Sequence, residues 1–322
     1  MNNKQADASG PAGLVTIDVE PDNIWADMHS RSVNNVERLP FFHRMCREFG
    51  VRPTYLVSWV AASNSAGASI IETLLSYGDC EVGIHPHLWE TPPLVEKDYG
   101  DRAWIGKDYP ESVLAAKLES LKDLVMERFG APVSHRAGRW GMEARQNEML
   151  VSLGIRTDTS VTPGVDWSVT GAPDYTAAPL MPYRMGEEDI CSPGAGRLME
   201  VPCTIKPGLR FFPWKKSRCA SAMIRRTGLG NKWLRPSPGV PANALLDVCF
   251  WASSRLPHLN LMSHSSEFMA GGSPYWPAEA DVARQFDAYR AVFGWWRNNG
   301  IRPMTLSEFT ACYAAAGAAI RQ

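Results

Sequence analysis

The chain has 322 residues, 45% of them hydrophobic and 21% charged, enough to bury one substantial core; barrels of this length commonly form one domain. A formal net charge of -1 excludes a general attraction to nucleic acid, whose phosphates demand a clear basic excess, so no nucleic-acid partner is expected. The polar start MNNKQADASGPAGLVTIDVE lacks the basic and apolar segments of a secretory signal, and no stretch is apolar for long enough to span a bilayer. The expected setting is the cytoplasm.

Short apolar, β-branched-rich runs alternate with helical patterns, which points to a parallel sheet covered by helices. Residues 1–12 are expected to form a flexible tail and residues 13–322 a single domain. In chain order the spacing predicts a strand at 14–18, a helix at 35–49, a strand at 53–57, a helix at 67–77 and a strand at 81–85. The clearest helix follows, PESVLAAKLESLKDLVMERF, with Pro110 suited to a helix start, leucines at helical spacing and Gly130 as a stop. Next come a strand at 133–136, a helix at 142–153 and a strand at 154–158. Strands at 199–203, 259–264 and 302–304 complete the set, with a helix at 278–298. The expected fold is α/β, a distorted parallel (β/α) barrel of about seven strands. Residues 88–110 and 161–198 interrupt the alternation, either as substrate-contacting loops or as loosely ordered insertions. Seven cysteines (46, 80, 191, 203, 219, 249, 312), odd in number and without a C-x-x-C pair, indicate reduced, mostly buried thiols.

Reactive side chains fall at the carboxyl ends of five expected strands, and in a parallel barrel those ends share one rim. The first strand ends in Asp18-Val19-Glu20, where strand alternation places both carboxylates on one side and calls for a cation or guanidinium nearby. EVGIHPHLWETPP sets His85 and His87 two apart, so both imidazoles can face one ion; nitrogen with carboxylate oxygen suits zinc, cobalt, nickel or iron. HRAGRWG supplies Arg136, placed to hold a carboxylate ionised, and Arg139 and Trp140 as substrate contacts; for Arg139 an ordinary surface ion pair is the competing reading. His135 alternates to the other face and suits packing. In DTSVTPGVDW, Asp158 and Ser160 either contact substrate or satisfy backbone groups at a turn, and Trp167 is either core or a sugar platform. LNLMSHSSEFMAGG brings His264, a proton donor to a leaving group, with Glu267 orienting it or its loop.

Taken together and in this order, these residues resemble the polysaccharide deacetylase family, also called the NodB-homology or carbohydrate esterase family four, and especially its WalW-like variants from surface-glycan gene clusters. The resemblance runs over roughly residues 13–305. It implies a NodB-type barrel, Asp18 as catalytic base, Glu20 as metal ligand, Arg136 holding the base and His264 as acid. The family's second motif has histidines four apart, whereas position 89 here is Trp89, a substrate-contact candidate, so the metal set would be Glu20, His85 and His87. The implied cofactor is a divalent metal, zinc first, with cobalt or nickel as alternatives. The implied reaction is removal of an N-acetyl group from a carbohydrate, a surface-polysaccharide or lipid-linked glycan precursor. Two other readings stay open: a metal-independent amidohydrolase acting on another C–N bond, and a catalytically inactive glycan-binding relative.

Residues 206–235 carry nine Lys or Arg and no Asp or Glu. Interleaved aromatics, Phe211, Phe212, Trp214 and Trp233, suit contact with an anionic membrane or a lipid-phosphate-linked glycan, which would place the protein peripherally at the inner face of the membrane. A nucleotide-linked sugar would satisfy the charge alone, and a solvated basic face is the plain alternative.

Overall fold

A computed structural model describes residues 10–100, 102–208 and 230–319. Its strands are β1 (Ala12–Val19), β2 (Pro53–Val57), β3 (Glu81–Ile84), β4 (Ser134–His135), β5 (Thr157–Asp158), β6 (Tyr183–Arg184), β7 (Met199–Glu200), β8 (Ile205–Lys206), β9 (Lys232–Trp233), β10 (His258–His264) and β11 (Arg302–Pro303). The helices are α1 (Leu39–Glu48), α2 (Trp59–Ser63), α3 (Ser65–Leu75), α4 (Glu111–Phe129), α5 (Gln146–Ser152), α6 (Ala242–Ser253), α7 (Glu279–Asn298) and α8 (Leu306–Ala319). The main sheet runs β10-β1-β2-β3-β4-β5-β7-β6, with β11 also on β1, and every pairing is parallel except β6 with β7. Beyond β7 the chain crosses toward β10, where Thr204 N donates to Asn260 O and Asn260 N donates to Thr204 Oγ1, curling the sheet into a distorted barrel. The expected barrel is present. Sequence periodicity missed β6, β8 and β9, because two-residue strands are too short to show a period.

All eight residues of β1 are buried, as expected for a strand covered on both sides. Val15, Ile17 and Val19 join the main core with Phe42, Leu74, Leu118 and Phe293 from the surrounding helices. The alternate positions change character along the strand. Ala12 and Leu14 pack with Met199, Val201, Met304, Leu306 and Phe309, while Thr16 and Asp18 hydrogen-bond to Arg136. One face of a single strand therefore runs from an apolar floor to an acidic rim.

Residues 10–12, expected within the tail, belong to the domain: Ala12 is strand, and Pro11 O accepts from Arg302 N, which ties them to β11; residues 1–9 lie outside the described residues. Residues 88–110 are pinned to α4. The buried Lys117 Nζ donates to Thr91 O at 2.7 Å, Pro93 O at 2.8 Å and Asp98 Oδ2 at 2.8 Å, leaving no ammonium proton unsatisfied. No described helix is long and apolar enough to cross a membrane.

His258, on the barrel floor, is fully buried, with Nε2 3.0 Å from Pro202 O and Nδ1 without a partner. Burial pushes its pKa down to about 4. The native ring therefore stays neutral where the unfolded chain, with a pKa near 6.5, takes up a proton, so stability is full above about pH 6.5 and declines as pH falls toward 4. His258→Gln is expected to retain roughly 2 to 3 kcal/mol of the stability that the parent loses between pH 7 and 4.5, as read by urea unfolding at both pH values. Equal losses in the two proteins would place the titrating group elsewhere.

Candidate active site

Asp18 and His264 are register partners on adjacent strands β1 and β10. The Asp18 carboxylate lies between three groups. Oδ1 accepts from Arg136 Nη1 at 2.7 Å, and Oδ2 lies 3.7 Å from His264 Nε2 and 3.8 Å from His85 Nε2. Arg136 follows β4 and is fully buried. Its other donors reach Thr159 O and Thr16 Oγ1, so its fork is fixed from three sides. Burial opposes the guanidinium charge, but Asp18 outweighs it and holds the Arg136 pKa above its ordinary value.

His85, just beyond β3, places Nδ1 2.8 Å from the Arg136 carbonyl. A carbonyl only accepts, so Nδ1 is the donor there, and Nε2 is the nitrogen turned toward Asp18 and toward Glu20 Oε2 at 3.7 Å. His87 Nε2 is 3.4 Å from the same Glu20 oxygen, while Glu20 Oε1 accepts from Ser266 Oγ. The donor atoms of Glu20, His85 and His87 all lie within 4.8 Å of one another, and all three residues are buried. Two carboxylates converging on one imidazole nitrogen call for positive charge at that point. Burial depresses the pKa of His87, but Glu90 and Glu20 reverse this and raise it to about 9; burial likewise opposes the Glu20 charge, yet His264, His85 and His87 hold its carboxyl well below the usual range. This nitrogen-and-oxygen set fits a divalent cation.

Gly138 permits that approach. A Cβ there would meet Pro86 O and His87 Cδ2, each at 2.7 Å. Trp89 is 1% exposed and stacks on His87 at 4.3 Å, so it fixes the imidazole from behind instead of lining the opening.

His264 is held by two groups. Glu267 Oε2 is 3.6 Å from its Nδ1, and Arg235 Nη2 lies 3.2 Å from Nδ1 while donating to Glu267 Oε1. Ser263 Oγ also donates to Glu267. Burial would raise the Glu267 pKa, but Arg235 and His264 outweigh it and keep it at about 2. Burial disfavours the imidazolium of His264, yet Glu20 and Glu267 raise its pKa against the opposition of Arg235.

Asp158 and Ser160 are fully buried beneath the rim. Ser160 Oγ accepts from Ala137 N and donates to Asp158, which pairs with His135 Nδ1 at 2.6 Å. They serve the backbone and His135 and do not line the opening. Trp140 and Trp167 stack at 6.3 Å, with Trp233 beside both and the Arg136 guanidinium 5.6 Å from Trp140, a half-buried aromatic cluster at the site's edge. Two site residues escaped the sequence reading. Glu90, 3.5 Å from His87 Nδ1, had the signal of following His87 by three; Arg235 was absorbed into the basic segment. Of that segment, to which a docking role was ascribed, residues 209–229 lie outside the described residues.

No protein-family model and no curated protein matches the sequence. Solved structures do. A candidate polysaccharide deacetylase from Mycobacterium smegmatis superposes with a TM-score of 0.54 at 17% identity, covering 97% of this chain and 93% of that one. A candidate glycoside hydrolase/deacetylase from Parabacteroides distasonis gives 0.60 at 14% identity over 94% of this chain and 71% of that one. The chain has the polysaccharide-deacetylase fold. A 4-alpha-glucanotransferase from Thermococcus litoralis is also similar, with a TM-score of 0.56 at 14% identity, over 94% of this chain but only 40% of that one. Fold alone does not fix the chemistry, which lies in the side chains of the rim.

Proposed function

We propose that the protein hydrolyses an N-acetyl group of a carbohydrate, with Asp18 as base and His264 as acid. The observation that carries this is Asp18 itself: one oxygen is fixed by a buried arginine, and the other lies between the imidazole of a cation-binding group and a second imidazole held by a carboxylate. Glu20, His85 and His87 would hold a divalent metal, zinc first by donor type, with cobalt or nickel as alternatives; bound there, it would supply Lewis acidity toward the acetyl carbonyl and acidify water.

Asp18 Oδ2 removes the proton from the attacking water, and Arg136 on Oδ1 keeps the carboxylate aimed. Hydroxide adds to the acetyl carbon. As the C–N bond breaks, His264 Nε2 gives its proton to the departing sugar nitrogen, with Glu267 and Arg235 keeping the ring oriented. Acetate and a free amine leave. Trp140 and Trp167, at the edge, suit a sugar face. We place the reaction in the cytoplasm, on a glycan precursor carried by a lipid phosphate or a nucleotide.

Purified protein with N-acetylated oligosaccharides is expected to release acetate, to stop with a chelator and to recover with zinc. Absence of acetate release from metal-loaded protein across such glycans would overturn the proposal. C–N hydrolysis that ignores chelation would favour the metal-independent amidohydrolase.

A further inference from the structure

Each arginine at the heart of the site has a carboxylate of its own, Arg136 on Asp18 and Arg235 on Glu267. Arg139 does not. Among the described residues it makes no ion pair, and its Nε is buried without a hydrogen-bond partner. Its guanidinium lies 4.8 Å from the Trp104 ring and 5.6 Å from the Trp89 ring, which also stacks on His87. Arg139 directly follows Gly138, the glycine whose Cα faces His87, and is therefore delivered to the lip of the Glu20, His85, His87 group.

The backbone reaches this placement through two consecutive non-glycine residues in the left-handed region, Arg139 at φ 50° and Trp140 at φ 60°. Such conformations persist only where the surroundings enforce them. Burial strips solvent from the guanidinium, which lowers its pKa, and Glu20 is the main carboxylate offsetting that. A cation held by Glu20 would engage that charge and leave Arg139 further uncompensated. A planar, partly desolvated fork without a carboxylate of its own is a receptor for an oxyanion.

We propose that Arg139 binds an oxyanion on the substrate, so that the favoured substrate is an anionic N-acetylated glycan with a carboxylate or phosphate close to the acetamido group. The oxyanion is the shared chemistry; a uronate and a sugar phosphate are its two sources. The specificity rests on the deacetylase reading, but binding tests it without turnover.

Calorimetry of the zinc-loaded protein with three probes separates the outcomes: N,N′-diacetylchitobiose as the neutral sugar, a glucuronate–N-acetylglucosamine disaccharide, and N-acetylglucosamine 6-phosphate. At least one anionic probe is expected to bind roughly ten- to hundredfold more tightly than the neutral one, and Arg139→Gln to erase most of that preference. Arg139→Lys, which keeps the charge without the fork, should retain part of it and guards against misfolding of the Gln variant. Which anion wins identifies the source. Acetate release in parallel separates failures: loss of turnover with the anion preference intact counts against the deacetylase reading alone. Equal affinity for all three probes in the parent, or an anion preference unchanged in both variants, would overturn the role of Arg139.

Discussion

Asp18→Asn is expected to lower turnover by about 10² to 10⁴, because the amide keeps the shape of the base but cannot accept the proton of the attacking water. The same change should be felt in stability. Arg136 is fully buried and Asp18 is its only ion-pair partner among the described residues, so a neutral Asn leaves a guanidinium in the interior without a counter-charge. Removing one partner of a buried pair typically costs about 3 to 5 kcal/mol; here the amide oxygen can still accept from Nη1, which places the expected loss toward the lower end. Acetate release per folded molecule, measured well below both unfolding transitions, separates the two effects. A folded variant with turnover within a few-fold of the parent would remove Asp18 from the role of base.

His85→Ala with His87→Ala is expected to abolish metal uptake and activity together, since two of the three protein donors disappear. Metal content after dialysis is the direct readout, and stoichiometric metal in the double variant would show that the ion sits elsewhere. The other described group that brings three donors together is His43, Asp79 and Cys80, but there Arg47 already occupies Asp79 at 2.9 Å, which disfavours a cation. Glu90→Gln provides the graded control. Within the cation-binding group Glu90 reaches only the far nitrogen of His87, its other oxygen accepting from Val60 N, so the change should weaken metal binding by roughly 10- to 100-fold without abolishing it.

The residues that make the site do so through elements the sequence already displays. Alternation along TIDVE put Asp18 and Glu20 on one side, and in the fold both approach His85 Nε2 to within 0.1 Å of the same distance, 3.8 and 3.7 Å. His264 and Arg136 stood at the ends of apolar runs, and a parallel sheet brings such ends to one rim whatever their separation in the chain. This is why Arg136 meets Asp18 across 118 residues, as the family resemblance implied. Side-chain type and strand period are local properties, and they were enough for the fold class and for which strand ends meet at the rim.

What only the tertiary structure decided is which polar residues face the opening and which are consumed beneath it. Asp158 and Ser160 resembled site residues by position, yet packing turns them to His135 and to backbone N–H groups. Trp89, a candidate contact, lies behind His87, whereas Arg235, hidden in a run of like charges, reaches Glu267 and His264. A strand's period states on which side a residue points, but its partner there comes from another segment of chain. For a buried charge that partner determines its role, since an unpaired one is too costly to leave in the interior.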